Sequence, residues 1–124
     1  VEIDNPMDEV VFTQQGVQPS AIDSLKQLGM STGDLVWIIK PRTLSHRKVN
    51  HEKLTQDETG RWLRAAKIHA LAIVVFGDPD KASRWLHSPR KQFGGMTAAT
   101  LIQTEAGAQL VEETLGQLDS GYFA

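Results

Sequence analysis

The sequence predicts an all-α fold. Helix start and stop residues follow one another along the whole chain, apolar residues recur at helical spacing, and no stretch alternates apolar and polar residues over a strand's length between turn signals. Asn5 and Pro6 supply an N-cap and a first helical residue, Asp8 and Glu9 suit the first turn, and Gly16 terminates the segment. Pro19 and Ser20 open a second helix with Ala21, Ile22, Leu25 and Leu28 at helical spacing, stopped at Gly29. Ser31 starts a third containing Leu35, Val36, Ile38 and Ile39, which Pro41 must break or restart. A short polar helix from Arg42 to about Val49 follows, with Leu44 facing inward.

Thr55 with Glu58 three residues later is a capping box, and the long segment behind it runs to Gly77. From Ile68 onward that segment is apolar on nearly every side, which predicts a central helix surrounded by neighbours, with His69 a satisfied interior or boundary histidine. Asp78 and Pro79 cap the next helix, carrying Ala82, Trp85 and Leu86 up to Pro89. A loop from Ser88 to Gly95 follows, then caps at Thr97 and Thr104, the second opening a helix with Ala106, Leu110, Val111, Leu115 and Leu118. Gly121, Tyr122, Phe123 and Ala124 form a tail, and the one plausible subdomain boundary lies near Asn50 to Thr55.

Composition narrows the function. At 124 residues with 40% apolar and 23% charged, the chain suits one compact domain or two small subdomains sharing a core, and excludes a fibrous repeat. Cysteine is absent, which removes disulfides, thiolate metal sites and cysteine nucleophiles and fits a reducing interior, so the cytoplasm is the expected compartment. The longest apolar run, Ala70 to Phe76, falls far short of the roughly 20 residues a membrane helix needs. Neither membrane insertion nor export is expected.

Net charge is −2, so nucleic-acid binding requires a local patch, and one exists. Between Lys40 and Lys53 the bases Lys40, Arg42, Arg47, Lys48 and Lys53 face a single acid, Glu52. Two short helices across a tight break, the second bearing basic and hydroxyl residues, are what a helix-turn-helix requires, since the second enters the major groove while cations neutralise phosphates. Arg42, Thr43, Ser45, His46 and Arg47 are the groove candidates. Lys48 and Lys53 suit phosphate contacts that position without specifying. A solvated basic face is the alternative, and Ile38 stands where the turn's usual glycine is expected.

Catalysis has little support. His46 and His51 are five apart, off the spacing that places two imidazoles on one helical face, so no metal site is expected. Gly94 and Gly95 have neither the lysine and hydroxyl residue of a P-loop nor a dinucleotide fingerprint, so no cofactor is expected either. The aromatics of the loop and tail leave two readings open: Phe93 and Phe123 anchor an interface, or they fold back onto their own core.

Several ordered motifs then carry a resemblance: Val75-Phe76-Gly77-Asp78, Ala82-Ser83-Arg84-Trp85-Leu86, Phe93-Gly94-Gly95, Leu101-Ile102-Gln103-Thr104-Glu105-Ala106-Gly107-Ala108 and Val111-Glu112-Glu113-Thr114-Leu115-Gly116. Across Lys67 to Ala124 the chain resembles the toxin-binding domain shared by the Xre, MbcA and ParS antitoxins. Ahead of it, Arg42-Thr43-Leu44-Ser45-His46-Arg47 resembles the start of the second helix in the Xre-like helix-turn-helix of antitoxins paired with RES toxins. Met96-Thr97-Ala98-Ala99 and Leu118-Asp119-Ser120 depart from the commoner residues of relatives.

Residues 1–16, with Glu2, Asp4, Asp8 and Glu9 and no basic residue, form an acidic N-terminal helix that the resemblance does not cover; beyond it the resemblance implies a helix-turn-helix domain at 17–54 and a toxin-binding domain at 55–124. It implies a non-catalytic antitoxin that forms a homodimer, covers the NAD pocket of a RES-domain toxin and binds operator DNA to repress its own operon. Trp85, Arg90, Phe93, Gly94 and Gly95 with the tail residues Gly121, Tyr122, Phe123 and Ala124 are the toxin-facing residues it implies; Trp85 also fits the core. From Thr104 to the end the chain carries Glu105, Glu112, Glu113 and Asp119 and no Lys or Arg, which suits a basic, anion-binding pocket. The competing function is a stand-alone helix-turn-helix regulator. An antitoxin alone is expected to leave Phe93, Tyr122 and Phe123 open, whereas a regulator buries them in itself or its twin.

Overall fold

Local side-chain caps start most of the helices. The computed structural model describes residues 5–121, and among them there are eight α-helices, one 3-10 turn and no strand. The helices are α1 (Pro6–Gln15), α2 (Ala21–Gln27), α3 (Thr32–Leu35), α4 (Pro41–Val49), α5 (Gln56–Phe76), α6 (Pro79–Leu86), α7 (Ala98–Leu101) and α8 (Glu105–Asp119), with the 3-10 turn at Lys91–Phe93. Asn5, Ser31, Thr55, Asp78, Thr97 and Thr104 each accept a hydrogen bond from a backbone N–H in the first turn of the helix they precede.

The long helix α5 organises the rest. Its first half packs against α1 and α2, its second against α6, and α8 lies along it. Two cores form on it. The first gathers Ile22, Leu25, Ile38, Ile39 and Leu54 around Ala65; the second gathers Trp85, Leu86, Phe93, Ile102, Val111 and Leu115 around Ile68 and Ala72. Trp37 packs against both. The junction of α1 and α2 is tied to the start of α5 by Val17, whose N–H donates to the buried Thr59 hydroxyl at 3.3 Å and whose carbonyl accepts from Leu54 at 2.9 Å. Gly16 is required there, because its φ is +78° and a Cβ would run into the Leu54 carbonyl.

Three helices depart from expectation. Regular helix ends at Leu35, and residues 36–39 turn tightly, with the Leu35 carbonyl accepting from both Ile38 and Ile39. That fold buries Ile38 and Ile39 while leaving Val36 46% exposed. The second half of α5 leaves one strip open: Ile68, His69 and Ala72 are buried and Leu71, Ile73, Val75 and Phe76 half-buried, but Ala70 is exposed and Val74 is 71% exposed. Its neighbours α6 and α8 pack the opposite face, and single exposed apolar residues cost little. On α8 the buried face is Ala108, Val111, Thr114 and Leu115, whereas Ala106 and Leu110 face outward. Thr114 tolerates burial because its hydroxyl donates to the Leu110 carbonyl at 2.9 Å.

Candidate nucleic-acid and partner interfaces

Helix α4 follows Lys40 in extended conformation, begins at Pro41 and buries none of its residues. Arg42, Ser45 and His46 are exposed at i, i+3 and i+4, and Val49, 76% exposed at i+7, completes the stripe. Val49 was not among the sequence candidates, since an isolated valine at a helix end gives no signal until its exposure is known. Thr43 is half-buried, and Lys48 lies 3.7 Å from Asp23 of α2.

Arg47 is placed differently. Its Nε donates to Glu58 Oε1 at 3.3 Å, its Nη2 to Oε2 at 3.4 Å, and Glu52 lies 3.7 Å away. Burial opposes the charge on the Glu58 carboxylate, but the Thr55 N–H, which donates to it at 2.8 Å, and the Arg47 guanidinium hold it below the ordinary carboxylate range. Arg47 thus clamps α4 to the start of α5. Beyond the helix, His51 takes the left-handed region at φ 54°, and the Glu52 N–H returns to the Arg47 carbonyl at 2.9 Å.

In the C-terminal half, the residues that mark the sequence converge on one turn. Trp85 is 8% and Phe93 3% exposed; their rings meet edge-on at 6.1 Å, with Phe76 on Trp85 at 5.6 Å. The Arg90 guanidinium lies 4.7 Å above the Trp85 ring, and its buried Nε has no hydrogen-bond partner among the described residues. The Arg90 carbonyl accepts from the N–H groups of Phe93 and Gly95, closing the turn, and Gly94 and Gly95 take φ values of +63° and +84° on the surface. The expectation that Phe93 lies open in the isolated chain is not met: it wedges the core beneath the turn, and the backbone of Gly94 and Gly95 is what faces outward. Burial in the domain's own core serves either function, so Phe93 does not discriminate between them. Gly121 is exposed at the end of α8, and Tyr122, Phe123 and Ala124 lie outside the described residues.

The two halves are joined by contacts that local sequence could not foretell. Arg64 of α5 lies 5.2 Å over Trp37 while its Nε and Nη2 donate, each at 2.9 Å, to the carbonyls of Ile102 and Gln103 at the end of α7. His87 donates from Nδ1 to the Ser83 carbonyl at 2.8 Å, and its Nε2 lies 3.0 Å from Asp34 Oδ2 of α3. Burial opposes ionisation of Asp34, yet the Ser31 N–H and the adjacent His87 hold its carboxyl below the ordinary range. His69, as expected, is interior: 4% exposed, with Nδ1 donating to the Ala65 carbonyl at 2.9 Å, and burial keeps its pKa below that of a free imidazole. Among the described residues no group of three or more His, Asp or Glu side chains is placed to hold a metal ion, and no helix is long and apolar enough to cross a membrane.

Comparison with known proteins bears on both halves. Residues 70–121 match the antitoxin Xre/MbcA/ParS C-terminal toxin-binding domain. A protein of Pseudomonas putida named antitoxin Xre is 44% identical over 85 residues, which cover 68% of this chain and 54% of that protein. An antitoxin Xre of Photorhabdus laumondii is 30% identical over 111 residues, covering 86% of this chain and 75% of the relative. The chain belongs to the Xre/MbcA/ParS antitoxin family. A Sphingobium member of the comparison, named Prs ADP-ribosylating antitoxin, is 30% identical over 95 residues, covering 69% of this chain and 60% of that protein. The chain therefore spans about half the length of the Pseudomonas Xre antitoxin and rather more of the other two. The matched domain begins inside α5 and takes in the Trp85–Gly95 turn and the whole of α8, so the turn described above is an element of the family's toxin-binding domain.

Proposed function

We propose that this chain is a non-catalytic antitoxin that neutralises a RES-domain toxin with its C-terminal half and represses its own operon with α4. The observation that carries the reading is the match of residues 70–121 to the toxin-binding domain. The RES assignment rests on the likeness of Arg42–Arg47 to the helix-turn-helix of antitoxins paired with such toxins, and the name of the Sphingobium relative fits NAD-dependent ADP-ribosylation as the toxin's chemistry.

In this reading residues 17–54 form the DNA-binding domain and residues 55–124 the toxin-binding one. Arg90, Gly94 and Gly95 with Gly121, Tyr122, Phe123 and Ala124 meet the toxin, while Trp85 and Phe93 hold the turn in shape from within. The aromatic tail plugs the NAD pocket, and Asp119 pairs with cations that otherwise hold the dinucleotide. On DNA, a homodimer sets one α4 into each of two half-sites; Arg42, Thr43, Ser45 and His46 face the bases, Val49 meets a thymine methyl, Lys48 contacts phosphate and Arg47 fixes the helix angle.

Co-expression with the product of the neighbouring gene, purification through a tag on this chain and assay of NAD consumption test the core of the proposal. A stable, inactive complex that gains activity when the antitoxin is stripped away is the expected result; a lone dimer with no co-purifying toxin would refute it and leave the stand-alone regulator. Deleting Gly121–Ala124 tests the plug. Release of toxin activity is expected, and full neutralisation by the truncated chain would shift occlusion to the Gly94–Gly95 turn.

A further inference from the structure

An open trough of about 730 Å³ runs along α5, with α1 as one wall and α8 as the other. Its floor extends from Gln56 to Ile68, about 18 Å or somewhat over three helical turns at the α-helical rise. Val10, Leu63, Ile68 and Ala108 make it apolar, and charged or amide side chains stand along both rims. The α1 wall is incompletely covered: of its lining residues Pro6, Glu9, Val10 and Thr13 none is buried, and Val10 is 46% exposed.

The acidic side of this trough is its α8 rim, where Glu105, Gln109 and Glu112 stand exposed with no Lys or Arg beside them on that helix. On the other side the one lining acid of α1, Glu9, pairs with Lys67 of the floor at 2.7 Å, and the floor's Arg64 donates to the carbonyls of Ile102 and Gln103. A second copy of the chain fits poorly, because its α8 brings acid against this acidic rim, and its basic helix α4 offers Val49 as its one well-exposed apolar residue.

We propose that the trough receives an amphipathic helix of the toxin, apolar along its floor-facing side and basic along the flank that meets α8. The proposal rests on the toxin-binding reading above and adds a docking surface separate from the Trp85–Gly95 turn. One of its walls, α8, lies within the matched toxin-binding domain. An apolar strip with unlike charges along one rim matches the way an amphipathic helix lies in a groove, with the rim charges setting register and speeding encounter.

Amide hydrogen exchange of the free chain and of its complex with the product of the neighbouring gene tests this directly. Slower exchange along residues 6–15 and 105–113 in the complex is expected. The double variant Glu105→Gln/Glu112→Lys is expected to weaken the complex about tenfold and flatten its salt dependence, whereas Glu113→Lys, on the same helix outside the trough, changes affinity less than about twofold. Val10→Ser, on the opposite wall, is expected to weaken it in the same direction, with the melting temperature of each free variant unchanged. Protection confined to residues 87–97, unaltered affinity in the double variant, or a trough already protected in a free dimer would each overturn the docking site. A chain that captures no toxin at all overturns the toxin-binding reading and the docking site together, while a complex that forms with the trough unprotected overturns the docking site alone.

Discussion

Along α4 no residue is buried, and Arg42, Ser45, His46 and Val49 stand clear of the core; around the Lys91–Phe93 turn, the aromatic residues that mark the sequence lie inside it. On α4 the outward groups are side chains that pack against no core, so their removal should leave the fold intact. At the turn the side chains are scaffold, and the outward groups are backbone and two glycines. If α4 binds DNA and the turn binds toxin as proposed, a substitution on α4 should separate function from stability, whereas at the turn the two should fall together. Arg47 is the exception that sharpens the contrast, because it sits on α4 yet is spent on Glu58.

The largest effect should come from the turn. Trp85→Ala removes a ring packed by Phe76, Phe93 and Arg90, and should cost about 3–5 kcal/mol in denaturant unfolding, with toxin capture lost in parallel. A loss under about 1 kcal/mol would show that Trp85 is not a core residue. Arg64→Ala should come next, at about 1.5–3 kcal/mol, because two carbonyls at the end of α7 lose a charged donor. Lys at the same position should rescue little of this, since an ammonium cannot reproduce the paired donors of a guanidinium over Trp37. Full rescue by Lys would assign the effect to charge alone.

On α4 the expectation reverses. Arg42→Ala should leave unfolding free energy within about 0.5 kcal/mol of the parent while weakening operator binding by about 1–3 kcal/mol and relaxing specificity at one base pair. Lys48→Ala should weaken binding equally on specific and unrelated duplexes and lower the salt slope by about one. Equal loss of stability and affinity in Arg42→Ala would erase the distinction between the two regions.

Sequence reading succeeded where the determinant is local. A capping side chain sits within three residues of the N–H it accepts from, so Asn5, Ser31, Thr55, Asp78, Thr97 and Thr104 announce their helices. The charge excess around α4 was legible for the same reason. Burial was not, because Val74 and Leu110 are apolar by identity and exposed by the placement of helices distant in sequence. Motif spacing brought Trp85 and Phe93 forward without telling core from surface. The seam between the halves was invisible, since Arg64 meets Ile102 across 38 positions and His87 meets Asp34 across 53. The trough is of the same kind, for its walls come from the two ends of the chain.

The smallest effect lies at that seam and concerns pH. His69 is buried, and desolvation lowers its pKa; the neighbouring Asp34 opposes that shift, and His87 adds to it. The unfolded chain then takes up this proton more readily than the folded one, so stability is greatest above the free imidazole pKa of about 6.5 and declines as pH falls through it. The slope attributable to one such group is at most about 1.4 kcal/mol per pH unit. Asp34 and Glu58, both held below the ordinary carboxylate range, add a second decline at lower pH, because stability from a depressed carboxyl is present above its unfolded pKa and lost as the folded group protonates. His69→Leu should flatten the upper decline and leave the lower one. The Ala65 carbonyl lies within α5, so losing the imidazole removes only an added donor. Denaturant midpoints at successive pH values for both proteins decide the matter: parallel curves between pH 7 and 5.5 would mean that His69 does not carry the upper decline.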